Sequence, residues 1–143
     1  MALSSKVKTG TIEQTVLFSN ATPYDVFEAL MDEKKHAAFT GGEAMISRKV
    51  NGTFTSFDGW ATGKNIELVK DKKIVQTWRP DDWSEGVWST CTYVIKTVPT
   101  GTEMTFTQVN VPKPFVKTVA LGWYKYYWKP MQKFFDSRVN KKK

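Results

Sequence analysis

The chain has 143 residues, the length of one ordinary domain, and 41% of them are hydrophobic, 24% charged and 14% aromatic. This composition excludes a disordered polypeptide, and no apolar run approaches the roughly 18 residues that a transmembrane helix needs. A single cysteine, Cys91, excludes an internal disulfide, and with a single histidine, His36, a structural zinc site is also excluded.

The net charge of +7 is concentrated in the C-terminal part of the chain. Residues 1–103 contain twelve Lys/Arg and thirteen Asp/Glu, whereas residues 104–143 contain nine Lys/Arg and the single acid Asp136. Such an asymmetry indicates an anionic partner, which could be nucleic acid, acidic lipid or an acidic protein, or else a basic face that is merely solvated.

The N-terminal part predicts one strand and two short helices. Alternating apolar residues predict the strand over residues 12–18. Thr22 and Pro23 are typical of a helix start, with Thr22 as the N-cap and Pro23 in the first turn. Asp32 is expected to cap a second helix, which ends at Gly41.

The middle of the chain predicts about six antiparallel strands separated by turns. Asn51-Gly52 and Asp58-Gly59 are dipeptides typical of two-residue hairpins. Further turns are expected at 71–73, 80–86 and 99–101. The segments between these turns are enriched in Thr, Val, Trp and Tyr, which favours strands.

The last predicted element is an amphipathic helix over residues 115–138, kinked near Pro130 because proline removes a backbone donor. One arc of its helical wheel is apolar and contains Val116, Val119, Ala120, Trp123, Tyr127, Met131 and Phe134. The opposite arc is basic and contains Lys117, Lys125, Lys129 and Lys133. Trp128 falls among these lysines, which predicts an exposed contact residue because tryptophan is enriched at interface hot spots.

Together these elements predict one α+β domain over residues 1–143, with an ordered core of about 10–138 and a basic tail, 139–143. We expect a curved antiparallel sheet wrapped around the long C-terminal helix, with room for a cavity between them. Gly122 is expected to allow close approach of the helix to the sheet. The candidate cavity-lining residues are Phe106, Trp123, Tyr127 and Met131.

No catalytic set is apparent in the sequence. We interpret the lone His36 as a surface residue and Cys91, which lies in the middle of a predicted strand, as a small buried apolar residue. Asp81, Asp82 and Glu85 cluster in a loop, where we expect them to support turn formation. The chain is therefore expected to have no enzymatic activity, no cofactor and no metal site.

Four stretches spread over about residues 15–135 resemble one known family. They are residues 74–79, residues 83–90, the glycine-rich turn 52–63, and a Gly-Trp-x-x-Tyr-Tyr motif at 122–127. Together they resemble the Ahsa-type family, the activators of the ATPase of the heat shock protein 90 chaperone. The resemblance implies a helix-grip fold, as in START-like lipid-transfer domains and birch-pollen allergens. It is to the C-terminal domain of the longer activators, so we expect their N-terminal domain to have no counterpart here.

The resemblance implies a monomeric co-chaperone of the eukaryotic cytosol that binds heat shock protein 90 and stimulates or modulates its ATPase. The candidate partner-binding residues are Lys117, Lys125, Trp128, Lys129, Lys133, Arg79 and Trp83. The alternative is a START-like carrier or sensor of a small hydrophobic ligand held in the cavity. Nucleic-acid binding by the basic helix would explain the charge but not the family motifs, so it is the least favoured class.

Overall fold

The structure is a computed structural model that describes residues 8–141, with side chains described for residues 8–138. The seven strands of this part are β1 (Thr9–Phe18), β2 (Met45–Ile46), β3 (Thr53–Ser56), β4 (Ala61–Val69), β5 (Lys73–Pro80), β6 (Ser89–Val98) and β7 (Gly101–Pro112). They form one antiparallel sheet in the order β1-β7-β6-β5-β4-β3-β2. The chain therefore meanders from β2 to β7, and β1 lies beside the last strand.

Two short helices connect β1 to β2, and a long helix follows β7. The short helices are α1 (Pro23–Met31) and α2 (Glu33–Thr40). The C-terminal helix follows a 3-10 turn (Lys113–Phe115) and consists of α3 (Val116–Trp123), a π-helical segment (Tyr124–Trp128) and α4 (Lys129–Lys141). This is the predicted α+β architecture. The predicted tail, 139–143, begins inside α4, and residues 142 and 143 lie outside the described residues.

The predicted helix boundaries in the N-terminal part are confirmed. Thr22 Oγ1 accepts a 3.1 Å hydrogen bond from the N–H of Asp25, and the Asp25 carboxylate accepts one of 2.9 Å from the N–H of Thr22. These reciprocal bonds are a capping box. At α2 the backbone N–H of Lys35 donates to the Asp32 carboxylate, which lowers the pKa of Asp32. Gly41, with a φ of 81°, ends the helix.

The predicted two-residue hairpins at Asn51-Gly52 and Asp58-Gly59 are wrong in length. The connection between β2 and β3 covers residues 47–52, and the one between β3 and β4 covers residues 57–60. In the second turn three successive residues, beginning with Phe57, have positive φ angles of 51°, 60° and 92°. A two-residue turn has no place for three such residues, so the turn lengthens and Phe57 leaves the predicted strand.

The core lies between the sheet and the helices, and β7 contributes a row of fully buried side chains. Met104, Phe106 and Gln108 alternate along β7 and are all fully buried, as their spacing predicts. Cys91 on the neighbouring strand is also fully buried, which confirms its prediction. The Phe106 ring lies 4.6 Å from the ring of Trp123, so the C-terminal helix packs directly onto the middle of the sheet.

The π-helical segment determines which residues of the C-terminal helix face the sheet. The N–H of Lys129 bonds to the carbonyl of Tyr124, five residues back instead of four. One extra residue in a turn shifts the phase of the helix by about 100°, and both Tyr127 and Trp128 therefore turn inward. The π-helical segment lies next to Pro130. Because proline has no N–H to donate, one α-helical hydrogen bond is missing there, which favours a departure from the regular helix.

The prediction that Trp128 is exposed among the lysines is therefore wrong. Trp128 is 1% exposed, and Phe135, which the straight wheel also placed near the basic arc, is buried as well. A wheel drawn at a constant 100° per residue contains no π-helical turn, so it misplaces Trp128, although Met131 remains buried and Lys133 exposed as it predicts. Leu121, which precedes the turn, remains on the outer face and is 70% exposed.

Candidate functional site

An apolar pocket of about 200 Å³ opens between the C-terminal helix and one end of the sheet. On the sheet side it is lined by Phe57 and Trp60 from the β3–β4 turn, by Trp78 of β5 and by Trp83 from the loop after β5. The ring centroids of Trp60 and Trp78 are 5.9 Å apart, and those of Trp78 and Trp83 are 5.6 Å apart, with interplanar angles of 75° and 78°. Edge-to-face packing of this kind gives the wall a fixed shape.

The helix side of the pocket is also aromatic and is contributed by Phe115, Trp123, Tyr126 and Tyr127. Gly122 lies among these residues, and a Cβ atom built on it would meet nothing closer than Tyr126 Cδ2, at 3.9 Å. The expectation that Gly122 permits a close helix–sheet contact is thus wrong. This glycine faces the open volume of the pocket.

Two of the four predicted cavity residues line this pocket and two do not. Trp123 and Tyr127 form part of the wall, whereas Phe106 and Met131 are fully buried away from it. The reason is the inward turn of Trp128, whose ring lies 5.1 Å from that of Phe106 and fills the space deeper under the helix. The cavity is therefore confined to one end of the helix–sheet interface.

A chain of buried hydrogen bonds connects Trp123 of the pocket wall to the backbone of Trp78. Trp123 Nε1 donates to Gln108 Oε1 at 2.7 Å, and Gln108 Nε2 donates to Ser89 Oγ at 2.9 Å. Ser89 Oγ in turn donates to the backbone carbonyl of Trp78 at 2.7 Å. Each donor finds an acceptor, as buried polar groups require, so the indole of Trp123 is held in one orientation and is linked through β7 and β6 to the backbone of β5 at Trp78.

His36 lies under the pocket, and its interpretation as a surface residue is wrong. The side chain is 5% exposed, because α2 packs its inner face against the C-terminal helix. His36 Nε2 is 2.9 Å from the hydroxyl of Tyr127, which donates to Ser56 Oγ at 3.3 Å. Burial lowers the pKa of His36 to about 4 and raises the pKa of Tyr127, so both side chains are neutral at pH 7.

Arg79 organises the loop over residues 81–88 at the pocket entrance. Its Nε donates to the carbonyl of Val87 at 3.2 Å, and its Nη2 donates to the carbonyls of Ser84, at 3.1 Å, and of Trp83. Trp83 itself is buried in the pocket wall. The expectation that Arg79 and Trp83 form a free docking surface therefore conflicts with the structure, in which these side chains maintain the conformation of the loop.

The same loop contains the acids Asp81, Asp82 and Glu85, which are all exposed. Asp82 lines the pocket, and none of the three forms an ion pair within residues 8–138. Among the described residues, no group of three His, Cys, Asp or Glu side chains is arranged to hold a metal ion. The acids therefore act at the pocket entrance as separate negative charges.

The basic face of the C-terminal helix is exposed, as predicted for Lys117, Lys125, Lys129 and Lys133. Its apolar members are Leu121, Tyr124 and Tyr126, the two tyrosines being 55% and 51% exposed. We call these seven residues the basic helix face. Trp128, which the regular wheel places on this surface, is absent from it because the π-helical turn directs it inward. Tyr124, at the start of that turn, lies on the surface, and its spacing of seven residues from Lys117, about two helical turns, is the sequence signal that could have revealed it. Within residues 8–141 every helix is too short or too polar to span a membrane.

Comparison with protein families gives a match over most of the chain. The family model described as "Activator of Hsp90 ATPase homolog 1-like protein" matches residues 20–136. The human protein named "Activator of 90 kDa heat shock protein ATPase homolog 1" is 28% identical over 125 residues, which are 87% of this chain and 36% of that protein. A homologue from Dictyostelium discoideum is 32% identical over 71% of this chain and 27% of its own length. The chain thus spans well under half the length of these relatives.

Solved structures share the fold. A crystal structure of an HSP90 activator from Plasmodium falciparum superposes with a TM-score of 0.78 at 26% identity, covering 90% of this chain and 96% of that one. A protein from Chromobacterium violaceum superposes with a TM-score of 0.71 at 23% identity, covering 87% and 96% of the two chains. These likenesses confirm the helix-grip fold that the sequence predicts.

Proposed function

The chain belongs to the family of Activator of Hsp90 ATPase homolog 1-like proteins, and on that premise we propose that it is a co-chaperone that binds heat shock protein 90 and stimulates or modulates its ATPase. The observation that carries the proposal is the family match over residues 20–136. The human relative is named as an activator of that ATPase, and this chain aligns with 36% of its length. The proposed place of action is the cytoplasm, in protein folding and the stress response.

The basic helix face is the contact surface that best fits this function. Its lysines give an extended positive surface, which would be attracted to an acidic region of the chaperone and would accelerate association. Tyr124 and Tyr126 lie between the lysines with about half of each side chain exposed. Aromatic residues of this kind supply much of the binding energy at protein interfaces once they are covered.

The helix that presents this face is held rigidly on the sheet. Trp123 and Trp128 stack with their ring centroids 5.3 Å apart, and each donates a 2.7 Å hydrogen bond to a glutamine of the sheet. A fixed surface loses little conformational entropy on binding, so more of the contact energy remains as affinity. Packing on the buried side of the helix therefore keeps the exposed side in one conformation before the partner binds.

A protein that contributes no catalytic group can stimulate an ATPase only by shifting its conformational equilibrium. It must bind the hydrolysis-competent conformer of the chaperone more tightly than the other conformers, and that difference in affinity sets the upper limit of stimulation. We propose that the basic helix face makes this distinction by binding an acidic surface of the competent conformer more tightly than the other conformers.

Calorimetric titration of the cognate chaperone with this chain tests the proposal. We expect binding that is tighter with a non-hydrolysable ATP analogue than with ADP, and weaker as ionic strength rises. The salt dependence distinguishes docking through the lysines from an apolar contact. Absence of binding with both nucleotides at low salt would overturn the proposal.

The pocket favours a second candidate function, namely a carrier or sensor of a small hydrophobic ligand. Eight of its thirteen lining residues are aromatic, and it is open to solvent at one end of the helix. Native mass spectrometry after gentle purification should then show a retained mass above that of the polypeptide. A Gly122→Leu variant, whose side chain would fill the pocket, should lose that mass. A polypeptide mass without any addition in both proteins would count against this candidate.

A further inference from the structure

The pocket combines aromatic walls with a carboxylate, and a site for a neutral hydrophobic molecule does not need the carboxylate. Its walls consist mainly of aromatic rings, and Asp82 is the one lining residue that is charged at neutral pH. The rings also meet at steep angles, since Phe57 and Trp60 are inclined by 83° and Phe57 and Tyr126 by 77°. Rings arranged in this way surround the enclosed volume from several directions.

The faces of aromatic rings attract cations, because the quadrupole of the ring places negative charge on its face. One wall residue already takes part in such a contact on its outer side. The ammonium of Lys125, which does not line the pocket, lies 5.4 Å from the ring centroid of Tyr126. The eight aromatic rings of this pocket thus give it the composition by which proteins recognise methylated ammonium groups.

The charged residues near the pocket entrance also favour the binding of a cation. The loop over residues 80–88, which supplies Asp82 to the pocket, contains Asp81, Asp82 and Glu85 and no lysine or arginine. The nearby guanidinium of Arg79 is directed onto the ring of Trp88, 5.7 Å away, and onto loop carbonyls. In a chain with a net charge of +7, the loop side of the pocket entrance is therefore locally acidic, whereas the helix side carries Lys125 next to Tyr126.

From these observations we propose that the pocket is an aromatic cage that binds a trimethylammonium group, supplied by a small soluble compound of the choline type. The rings would surround the methyl groups, and Asp82 would lie at the entrance as the counter-charge. The volume of about 200 Å³ is below the roughly 300–1,000 Å³ of sites for drug-sized ligands, so it suits a headgroup with a short tail.

The acidic side of the entrance also favours a soluble trimethylammonium compound over a lipid headgroup. A lipid headgroup carries a phosphate next to its trimethylammonium group, and the carboxylates of Asp81, Asp82 and Glu85 would repel it. A free trimethylammonium alcohol has no such negative charge. The proposal narrows the second candidate function and does not depend on chaperone binding, so either can fail without the other.

The test compares choline with its neutral isostere 3,3-dimethylbutan-1-ol, in which carbon replaces the nitrogen. Titration of the full chain, followed by the NMR signals of the tryptophan indole N–H groups, should give a dissociation constant about tenfold lower for choline. Equal affinities would show that the pocket recognises shape alone and would overturn the proposal. Absence of binding by both compounds would overturn it as well.

Three variants test whether choline binds in this pocket. Asp82→Asn should weaken choline binding about threefold and leave the isostere unchanged, whereas Glu13→Gln, which removes an exposed charge on β1, should change neither. Trp60→Leu should weaken choline binding strongly, and because Trp60 is 41% exposed the variant is expected to fold. Choline binding that is unaffected by both Asp82→Asn and Trp60→Leu would place it elsewhere and contradict the proposal.

Vesicles of phosphatidylcholine distinguish the two sources of the group. Co-sedimentation of the chain with neutral vesicles, lost on addition of excess choline, would show that the lipid headgroup is the ligand and would overturn the assignment to a soluble compound. Choline binding without vesicle binding is the result that the acidic entrance predicts.

Discussion

Trp128 donates a 2.7 Å hydrogen bond from its indole Nε1 to Oε1 of Gln14, which connects the middle of the C-terminal helix to β1. The Nε2 of the same glutamine donates to the carbonyl of Ala120 at 3.0 Å, so one side chain bridges the strand to two turns of the helix. The contact made by Trp128 depends on the π-helical turn, without which its side chain would face solvent. The residue that the wheel marks as an exposed contact thus belongs to the structural core.

Replacing Trp128 with alanine is therefore expected to destabilise the fold. The substitution removes a fully buried indole and leaves Gln14 without its donor, so the free energy of unfolding should fall by about 3–5 kcal/mol. Urea denaturation followed by circular dichroism measures this difference. The matched control is Tyr124→Ala on the exposed face, which should change stability by less than about 0.5 kcal/mol. Similar losses in the two variants would contradict the inward position of Trp128.

The buried His36 is expected to make stability depend on pH. Burial lowers its pKa from 6.5 to about 4, so the folded state keeps the ring neutral where the unfolded state takes up a proton. The free energy of unfolding should therefore be unaffected by His36 above pH 6.5 and should fall as the pH drops from 6.5 to 4, by about 3 kcal/mol in all.

A His36→Gln variant separates this contribution from that of the carboxylates. Glutamine can still hydrogen-bond to the hydroxyl of Tyr127 but does not titrate, so the difference in unfolding free energy between the two proteins should change between pH 6.5 and 4. Urea denaturation at half-unit intervals of pH measures it. A difference that stays constant across this range would show that His36 is accessible to protons in the folded state.

Gly122→Ala is expected to be stabilising. The new methyl group would point into the pocket, where the nearest atom is Tyr126 Cδ2 at 3.9 Å, and alanine favours a helix interior over glycine by up to about 1 kcal/mol. Thermal unfolding should show a melting temperature a few degrees higher. A lower melting temperature would mean that the helix lies closer to the sheet at this position than the structure shows.

Charge reversal on the basic helix face should slow association with the chaperone. Lys125 and Lys129 are exposed, so the Lys125→Glu, Lys129→Glu double variant should fold normally and lower the association rate at least tenfold at low salt. Lys70→Glu with Lys72→Glu changes the net charge equally in the exposed β4–β5 turn and serves as the control. Stopped-flow measurement of both variants tests the surface, and equal slowing by the two would point to overall charge instead of this face.

Most of the fold could be predicted from the sequence because its signals are local. The N-cap at Thr22, the N-cap at Asp32 and the helix end at Gly41 each act over a few residues, and all three are confirmed. The π-helical turn could not be predicted in this way. It depends on the inward packing of Tyr127 and Trp128 together, and nothing in the spacing of residues 124–128 distinguishes it from a regular turn.

The candidate site was predictable only in part, for a related reason. The exposed lysines follow from helix periodicity before and after the π-helical turn, so Lys117 and Lys133 were placed correctly. The role of Arg79 depends on the path of a loop whose carbonyls it binds, and the burial of His36 depends on how α2 packs on the C-terminal helix. The first depends on an irregular loop conformation that has no periodic signal, and the second joins segments 91 residues apart in the sequence.

The rate of ATP hydrolysis by the cognate chaperone, titrated with this chain, tests the central proposal most directly. The account predicts stimulation that saturates with the concentration of the chain, disappears with a specific chaperone inhibitor and is reduced by the Lys125→Glu, Lys129→Glu double variant. The Lys70→Glu, Lys72→Glu control should retain it. An inhibitor-sensitive rate that stays unchanged at saturating chain, together with no detectable binding in the presence of a non-hydrolysable nucleotide, would contradict the assignment as a co-chaperone.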